Sequence, residues 1–315
     1  MVVLGKVAAI FLMVLIGYIA GKLDLLPLTS SKYISSIVIN IAAPCVVIYS
    51  MSKQELNPKT VAIMFIIFGV ALAMYFISWM ISIIFVKAMK ISENERGVYK
   101  NYLIFTNNAF MGFPVAFALF GSEGLFLMVL ANLLMPIFMF TLGVHNIRVE
   151  YISHDSKWST FKQRLKDISN PPVISTLIGL IIFIFQIPIP NVIDDVLSMM
   201  GATMAPLCMI VIGIQLTESN PLTVMTNHKL IVMSAFRLII IPFLIFLPLY
   251  LMAVEPLVIC VMTLNAMLPC SAIAVALAEE YKNNVRLAAE GAFLSTLFSI
   301  ATIPVIGILL TTFIL

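Results

Sequence analysis

Ten apolar runs, each about as long as a helix needs to cross a bilayer, follow one another along the chain,. They can be drawn at 2–20, 34–49, 61–86, 101–120, 124–144, 172–187, 193–216, 230–254, 256–278 and 287–315. Hydrophobic residues make up 62% of the chain and charged residues only 10%, whereas the apolar share of a soluble domain is about 45–50%. We therefore predict an all-α polytopic membrane protein with ten transmembrane helices, of which the second and sixth are the shortest.

The basic residues are unevenly divided between the loops. If every run crosses once, the loops after the odd-numbered runs share one side of the membrane and carry all but four of the 18 lysines and arginines. The other side has Lys6, Lys53 and Lys59, and Arg237 lies inside the eighth run. Because cytoplasmic loops are enriched in Lys and Arg, we predict a multi-pass protein of the cell membrane with both termini outside the cytoplasm.

Two of the runs contain residues that interrupt a helix. Segment 107–114 of the fourth run reads NNAFMGFP, and segment 265–271 of the ninth reads NAMLPCS; we call them the first break and the second break. Proline removes a backbone donor, glycine loosens the backbone, and asparagine can bond the groups so freed. Because such backbone is tolerated in hydrocarbon only where it is buried in protein or lines a cavity, we predict that the breaks face each other and form a solute site near the bilayer midplane.

The chain divides into two similar lengths about a polar segment. Residues 146–170 predict a cytoplasmic linker, with 1–145 before it and 171–315 after it. Each half has five of the runs, so the two halves enter the membrane in opposite directions.

Prolines recur in the same order in both halves. Ala43-Pro44-Cys45 in the second run has a counterpart in Ala205-Pro206-Leu207-Cys208 of the seventh, and Pro136 in the fifth has one in Pro304 of the tenth. Together with the two breaks, these pairs predict two inverted five-helix repeats.

The two breaks also carry a family resemblance. Asn107 to Pro114, and Asn265 to Pro269 followed by Ala278-Glu279-Glu280-Tyr281 and Leu294-Ser295-Thr296, resemble the auxin efflux carrier family, which includes bacterial permeases for malate or malonate. The likeness extends over nearly the whole chain. Two positions depart from the plant carriers: Thr106 stands where they have proline, and Asn265 where many have glutamine. These departures put specificity for a plant hormone in doubt.

The resemblance implies a fold similar to that of the bile acid sodium symporters. Helices 1, 2, 6 and 7 would form a scaffold and helices 3–5 and 8–10 a transport domain, with broken helices 4 and 9 crossed at the substrate site. It also implies elevator-type transport of a small organic anion, such as malate, malonate or an auxin-like acid, and a homodimer through helices 2 and 7.

The breaks supply the residue types that an anion needs. Helix N-termini carry free N–H groups and about +0.5 of an elementary charge, and asparagine amides add further donors. The predicted substrate-binding residues are therefore Asn107, Asn108, Gly112, Pro114, Asn265, Pro269 and Ser271. The alternative is that the asparagines only cap the broken helices, and the two roles are compatible.

A second group of residues has more than one interpretation. Arg237 could snorkel to the cytoplasmic face, bond carbonyls freed by the second break, or attract the substrate. Glu290 could couple transport to a proton or sodium ion, or pair with Arg286 one helical turn away. Asn132, Ser295 and Thr296 could line a cation or substrate pocket.

The favoured hypothesis is a secondary carrier of small organic anions. Two alternatives are a sodium-coupled symporter of the bile acid type and a membrane receptor that binds its ligand without moving it. No Walker loop, metalloprotease helix or metal-ligand spacing is present,. We therefore expect no enzymatic activity, metal or cofactor, leave coupling to Na⁺ or H⁺ open, and expect a lipid bilayer but no nucleic acid as partner.

Overall fold

The computed structural model describes residues 2–147, 171–218, 224–271, 273–281 and 283–314. Over these residues the chain is helical, and its single β-bridge joins two residues outside any strand. The helices are α1 (Val2–Lys22), α2 (Leu28–Ile37), α3 (Ala43–Ser52), α4 (Pro58–Ala88), α5 (Glu93–Ile104), α6 (Phe113–Asn132), α7 (Met135–Phe138), α8 (Val144–Ile147), α9 (Pro171–Phe185), α10 (Asn191–Ala202), α11 (Met204–Gln215), α12 (His228–Ala235), α13 (Ile241–Leu251), α14 (Pro256–Ala266), α15 (Ile273–Glu280) and α16 (Val285–Phe313).

Six of the helices in the described part of the chain, counted as continuous stretches, are long and apolar enough to cross a membrane. They are Leu28–Ser52, Pro58–Ala88, Asn108–Phe138, Asn191–Gln215, His228–Leu251 and Val285–Phe313. Three shorter apolar helices accompany them, at Ala8–Lys22, Pro171–Phe185 and Pro256–Ala266. The all-helical class predicted from the sequence is confirmed, whereas ten crossings and the inverted repeats stay predictions.

Three widened helical turns are each followed by a proline. The π turns Val38–Ala42, Asn108–Gly112 and Phe236–Ile240 end one residue before a helix whose second residue is proline. A proline cannot donate to the carbonyl four residues earlier, and its ring collides with that carbonyl. An extra residue in the preceding turn relieves this conflict, so these helices continue past the proline. A fourth π turn, Met139–Gly143, follows α7, which contains Pro136.

Helix α6 is bent where the sequence predicts the end of the fourth run. Gly121 has φ of 68° and ψ of −158° inside Phe113–Asn132, a backbone conformation that residues with a Cβ rarely adopt. The helix axis therefore changes direction between the predicted fourth and fifth runs, at 101–120 and 124–144.

The described chain clusters into two compact units. Unit 1 comprises Met1–Ile67, Ala109–Leu130 and Ser156–Glu218, and unit 2 comprises Phe68–Asn108, Ala131–Asp155 and Ser219–Leu315. Each unit takes segments from both halves of the sequence. The boundaries 1–145 and 171–315, and the scaffold and transport domain, stay predictions. The predicted linker 146–170 lies outside the described residues, apart from Asn146 and Ile147.

Within unit 1, α1 and α11 approach until their backbones touch. A Cβ placed on Gly17 would overlap the carbonyl oxygen of Ile210, and one placed on Gly213 would overlap the carbonyl oxygen of Val14. Small residues at a helix contact allow membrane helices to pack closely. Such packing matters because lipid supplies no hydrophobic drive for helix association.

Candidate functional site

The two breaks pair with each other through their backbones inside unit 2. Helix α5 ends at Ile104 and α14 at Ala266, and the residues that follow each are not helical. Thr106 and Cys270 form an antiparallel bridge. The Asn107 N–H donates to the Pro269 carbonyl over 2.9 Å, and the Ser271 N–H donates to the Phe105 carbonyl over 3.1 Å. Backbone donors and acceptors that lose their helical partners at the two breaks thus bond one another. We call the paired segments 105–108 and 265–271 the crossing.

The first break begins two residues earlier than the sequence predicts. Phe105 is already extended, with φ of −105° and ψ of 132°. Gly112 closes the π turn Asn108–Gly112, and Pro114 lies in the first turn of α6, so neither ends a helix. Both are buried in unit 1, whereas the hydrogen bonds between the breaks belong to unit 2.

Four side chains of unit 2 form a continuous chain of hydrogen bonds, which we call the amide relay: Asn132, Asn108, Thr106 and Asn265. The Asn108 Nδ2 donates to Asn132 Oδ1 over 2.8 Å and to Thr106 Oγ1 over 3.0 Å. Thr106 Oγ1 donates in turn to Asn265 Oδ1 over 3.4 Å. Asn132 is half-buried, and the other three are at most 1% exposed. The relay therefore links both breaks through one hydroxyl group.

Two polar atoms of the relay have no partner among the described residues. They are Asn108 Oδ1 and Asn265 Nδ2, and both are shielded from solvent. A buried polar group left unpaired costs about 1–3 kcal/mol, so such groups in a native fold call for an explanation. One is an acceptor and the other a donor, so the relay has one unused hydrogen-bonding atom of each kind among the described residues.

Arg237, on a third helix, bonds the second break and the last turn of α5, which precedes the first break. It lies in the π turn Phe236–Ile240, donates from Nε to the Leu268 carbonyl over 3.2 Å and donates from Nη1 to the Leu103 carbonyl over 2.9 Å. The side chain is fully buried, so it does not snorkel to a surface. The sequence allowed three roles for Arg237. The contacts correspond to the role in which Arg237 bonds carbonyls freed by a break.

The charge of Arg237 is not neutralised by a described acid. No carboxylate of the described residues pairs with it, and its Nη2 has no hydrogen-bond partner there. A buried, unpaired charge is expensive. The crossing is therefore a region of positive potential with a spare donor.

Ser295 of α16 secures the backbone of the second break. Its Oγ accepts from the Cys270 N–H over 3.2 Å and donates to the Ala292 carbonyl over 3.1 Å. Ser271, which follows Cys270, is 2% exposed. Thr296 is half-buried, and its carbonyl accepts from the Ser299 hydroxyl over 2.6 Å.

Three further predicted residues, Asn107, Pro269 and Glu290, are not members of the amide relay. Asn107 contributes its backbone N–H to the pairing of the breaks, and Pro269 contributes its carbonyl. Glu290 forms an ion pair with Arg286, with 2.8 Å between Oε1 and Nε. This is the local pairing that the sequence offered as the alternative to a coupling role.

The sequence alone did not identify three of the groups at the crossing. Thr106 attracted notice only as a departure from the plant carriers, although its place beside two asparagines was a usable signal. The carbonyls of Leu103 and Leu268 carry no signal, because any residue type would supply the same acceptor.

Comparison with known proteins extends to nearly the whole chain. A family described as membrane transport protein matches residues 2–307. An uncharacterized transporter of Methanocaldococcus jannaschii is 24% identical over 312 residues, which cover 98% of each chain. An uncharacterized transporter of Methanothermobacter thermautotrophicus is 24% identical over 304 residues, which cover 96% of this chain and 97% of the relative.

Proposed function

Because the chain belongs to the membrane transport protein family, we propose that it is a secondary carrier of small organic carboxylates. The observation that carries the proposal is the crossing of unit 2, where two broken helices pair and leave buried polar atoms that have no partner in the described part of the chain. Malate, malonate or an auxin-like acid would be of suitable size and charge. This class of solute comes from the family resemblance and from the chemistry of the crossing.

The polarity of the crossing favours an anion. Arg237 brings a buried positive charge without a described acid beside it, and Asn265 Nδ2 is a spare donor. Arg237 Nε and Nη1 are already engaged by carbonyls, so the solute meets a diffuse positive potential. A carrier must release its solute as well as bind it, and this arrangement avoids a tight fixed ion pair.

The proposed transport cycle is alternating access of the elevator type. The helices of runs 3–5 and 8–10 would carry the bound solute past a scaffold of runs 1, 2, 6 and 7, with a homodimer formed through runs 2 and 7. The crossing supports this mechanism because both of its halves belong to the proposed moving part. Coupling to Na⁺ or H⁺ is open, and Glu290, Asn132, Ser295 and Thr296 are the residues to examine for it.

Uptake by reconstituted vesicles tests the function. Purified full-length protein should give saturable uptake of radiolabelled malate or malonate. Asn108→Ala and Asn265→Ala should abolish uptake, because each removes one of the two amides that carry an unpaired buried atom among the described residues. Asn40→Ala is the matched control, since the Asn40 amide bonds only Ser36 of its own helix in the described structure, and it should transport normally.

Three outcomes would contradict or redirect the proposal. Wild-type uptake in both relay variants would remove the crossing as the site. Saturable binding without uptake would favour the receptor hypothesis over the carrier. Uptake that rises with an inward sodium gradient would favour the sodium-coupled symporter.

A further inference from the structure

The amide relay consumes most of the hydrogen-bonding capacity of its own members. Both protons of Asn108 Nδ2 are engaged, by Thr106 and by Asn132, which leaves the acceptor Oδ1. Asn265 Oδ1 accepts the Thr106 hydroxyl proton, which leaves the donor Nδ2. One unpaired acceptor and one unpaired donor thus lie at the two amides that Thr106 connects.

The Thr106 hydroxyl determines that one amide is left with an unpaired acceptor and the other with an unpaired donor. A hydroxyl donates one hydrogen bond and accepts others, so it receives the proton of one amide and gives its own to the oxygen of the other. Exchanging nitrogen and oxygen in all three asparagines reverses each bond and again leaves one donor and one acceptor. The requirement for a ligand that both donates and accepts a hydrogen bond therefore follows from the threonine and not from the orientation of any one amide.

We infer that the solute carries a hydroxyl group on the carbon next to its carboxylate, and that Thr106 is the residue that sets this requirement. The inference rests on the proposed function. The carboxylate accepts from the free amide donor, and the neighbouring hydroxyl donates to the free amide acceptor. A 2-hydroxycarboxylate satisfies both atoms, whereas a simple carboxylate leaves the acceptor unpaired.

The charge at the crossing selects a hydroxyl over an ammonium group as the donor. Arg237 bonds Leu103, three residues before Thr106, and Leu268, three residues after Asn265. No described acid pairs with its charge. An ammonium group on the solute would be repelled by this charge, and a neutral hydroxyl is not.

Matched pairs of acids test the inference by isothermal titration of the purified full-length protein. Lactate and propionate differ only in the 2-hydroxyl, as do malate and succinate. We expect the hydroxy acid of at least one pair to bind about tenfold more tightly, because a site built around a hydroxyl penalises the analogue that lacks it. Thr106→Val keeps the shape of the side chain without the hydroxyl and should reduce this ratio to below about twofold.

Two further variants separate specificity from folding. Thr106→Ser retains the hydroxyl and should retain the ratio. Thr263→Val removes another buried hydroxyl, one that has no partner among the described residues, and should leave the ratio unchanged. A purely structural role for Thr106 would lower the melting temperature of Thr106→Val without changing the ratio.

The outcomes distinguish this inference from the proposed function. Equal affinity within each pair for the wild type would overturn the inference and leave the carrier proposal standing. A ratio that persists in Thr106→Val would overturn the role of Thr106. Failure of all four acids to bind would overturn both the inference and the proposed class of solute.

Discussion

The first and second breaks meet at one crossing, but they are stabilised by different sources of hydrogen bonds. The first break supplies its own side-chain donor, because the Asn108 amide donates to Thr106 and, 24 residues further along the chain, to Asn132. The second break depends on distant elements: Arg237 binds its Leu268 carbonyl, and Ser295 binds its Cys270 N–H. A break that is bonded through its own side chain can rearrange by turning that amide, whereas a break whose backbone is held by side chains of other helices changes only when those helices do.

This difference has a consequence for stability. Removing a distant partner from the second break leaves a buried backbone group with nothing nearby to replace it, at a cost of about 1–3 kcal/mol. Removing one partner from Asn108 leaves its other bond in place. Three substitutions, taken from the largest expected effect to the smallest, examine this contrast.

Arg237→Met should have the largest effect, because it removes a bond to the second break and a bond to the end of α5 at once. Two hydrogen bonds from a charged group are lost and two carbonyls are left buried, so the free energy of unfolding should fall by about 3 kcal/mol. The measurement is a denaturant titration in detergent micelles. Arg286→Met is the control: its exposed ion pair with Glu290 should contribute about 0.3–0.5 kcal/mol. Equal losses in the two variants would mean that Arg237 does not hold the crossing together.

Ser295→Ala should have an intermediate effect on the second break alone. The Cys270 N–H loses its only described acceptor, and we expect a loss of about 1–2 kcal/mol in the same titration. Thr311→Val, on the same helix, removes a hydroxyl that bonds only carbonyls of its own helix, and it should cost less than about 0.5 kcal/mol. If the two variants lose the same amount, the second break does not depend on α16.

Asn132→Ala should have the smallest effect, because Asn108 retains its bond to Thr106. We expect a loss of about 0.5–1 kcal/mol in unfolding free energy, measured beside Ser295→Ala. Asn40→Ala serves as the control for removal of an amide bonded within its own helix. A loss from Asn132→Ala that exceeds the loss from Ser295→Ala would reverse the proposed contrast between the breaks.

Much of this architecture was predictable from sequence, but unevenly. The family and the all-helical class followed from the long apolar runs and from the residues of the two breaks. The location of the second break followed from Pro269, whose missing N–H ends the helical ladder. In each case the signal is local, because one residue type determines what its own backbone can do.

The remainder depends on contacts between residues far apart in sequence. Gly112 and Pro114 do not mark the start of the first break, because Gly112 closes the π turn Asn108–Gly112 and Pro114 lies in the first turn of α6. The chain becomes extended at Phe105 instead. That extension is stabilised by pairing with residues 269 and 271. The bond from Thr106 to Asn265 and the bond from Arg237 to Leu103 could not be predicted from the residues next to them in sequence.

The backbone contact between α1 and α11 bears on how the protein is made. Gly17 cannot complete its packing against Ile210 until the ribosome has synthesised nearly 200 further residues. At ordinary rates of synthesis this takes about 10 to 40 seconds. During that interval the flat glycine surface of the nascent first helix faces lipid or the insertion machinery. Substitutions at Gly17 should therefore reduce the yield of assembled protein before they alter any property of the finished protein.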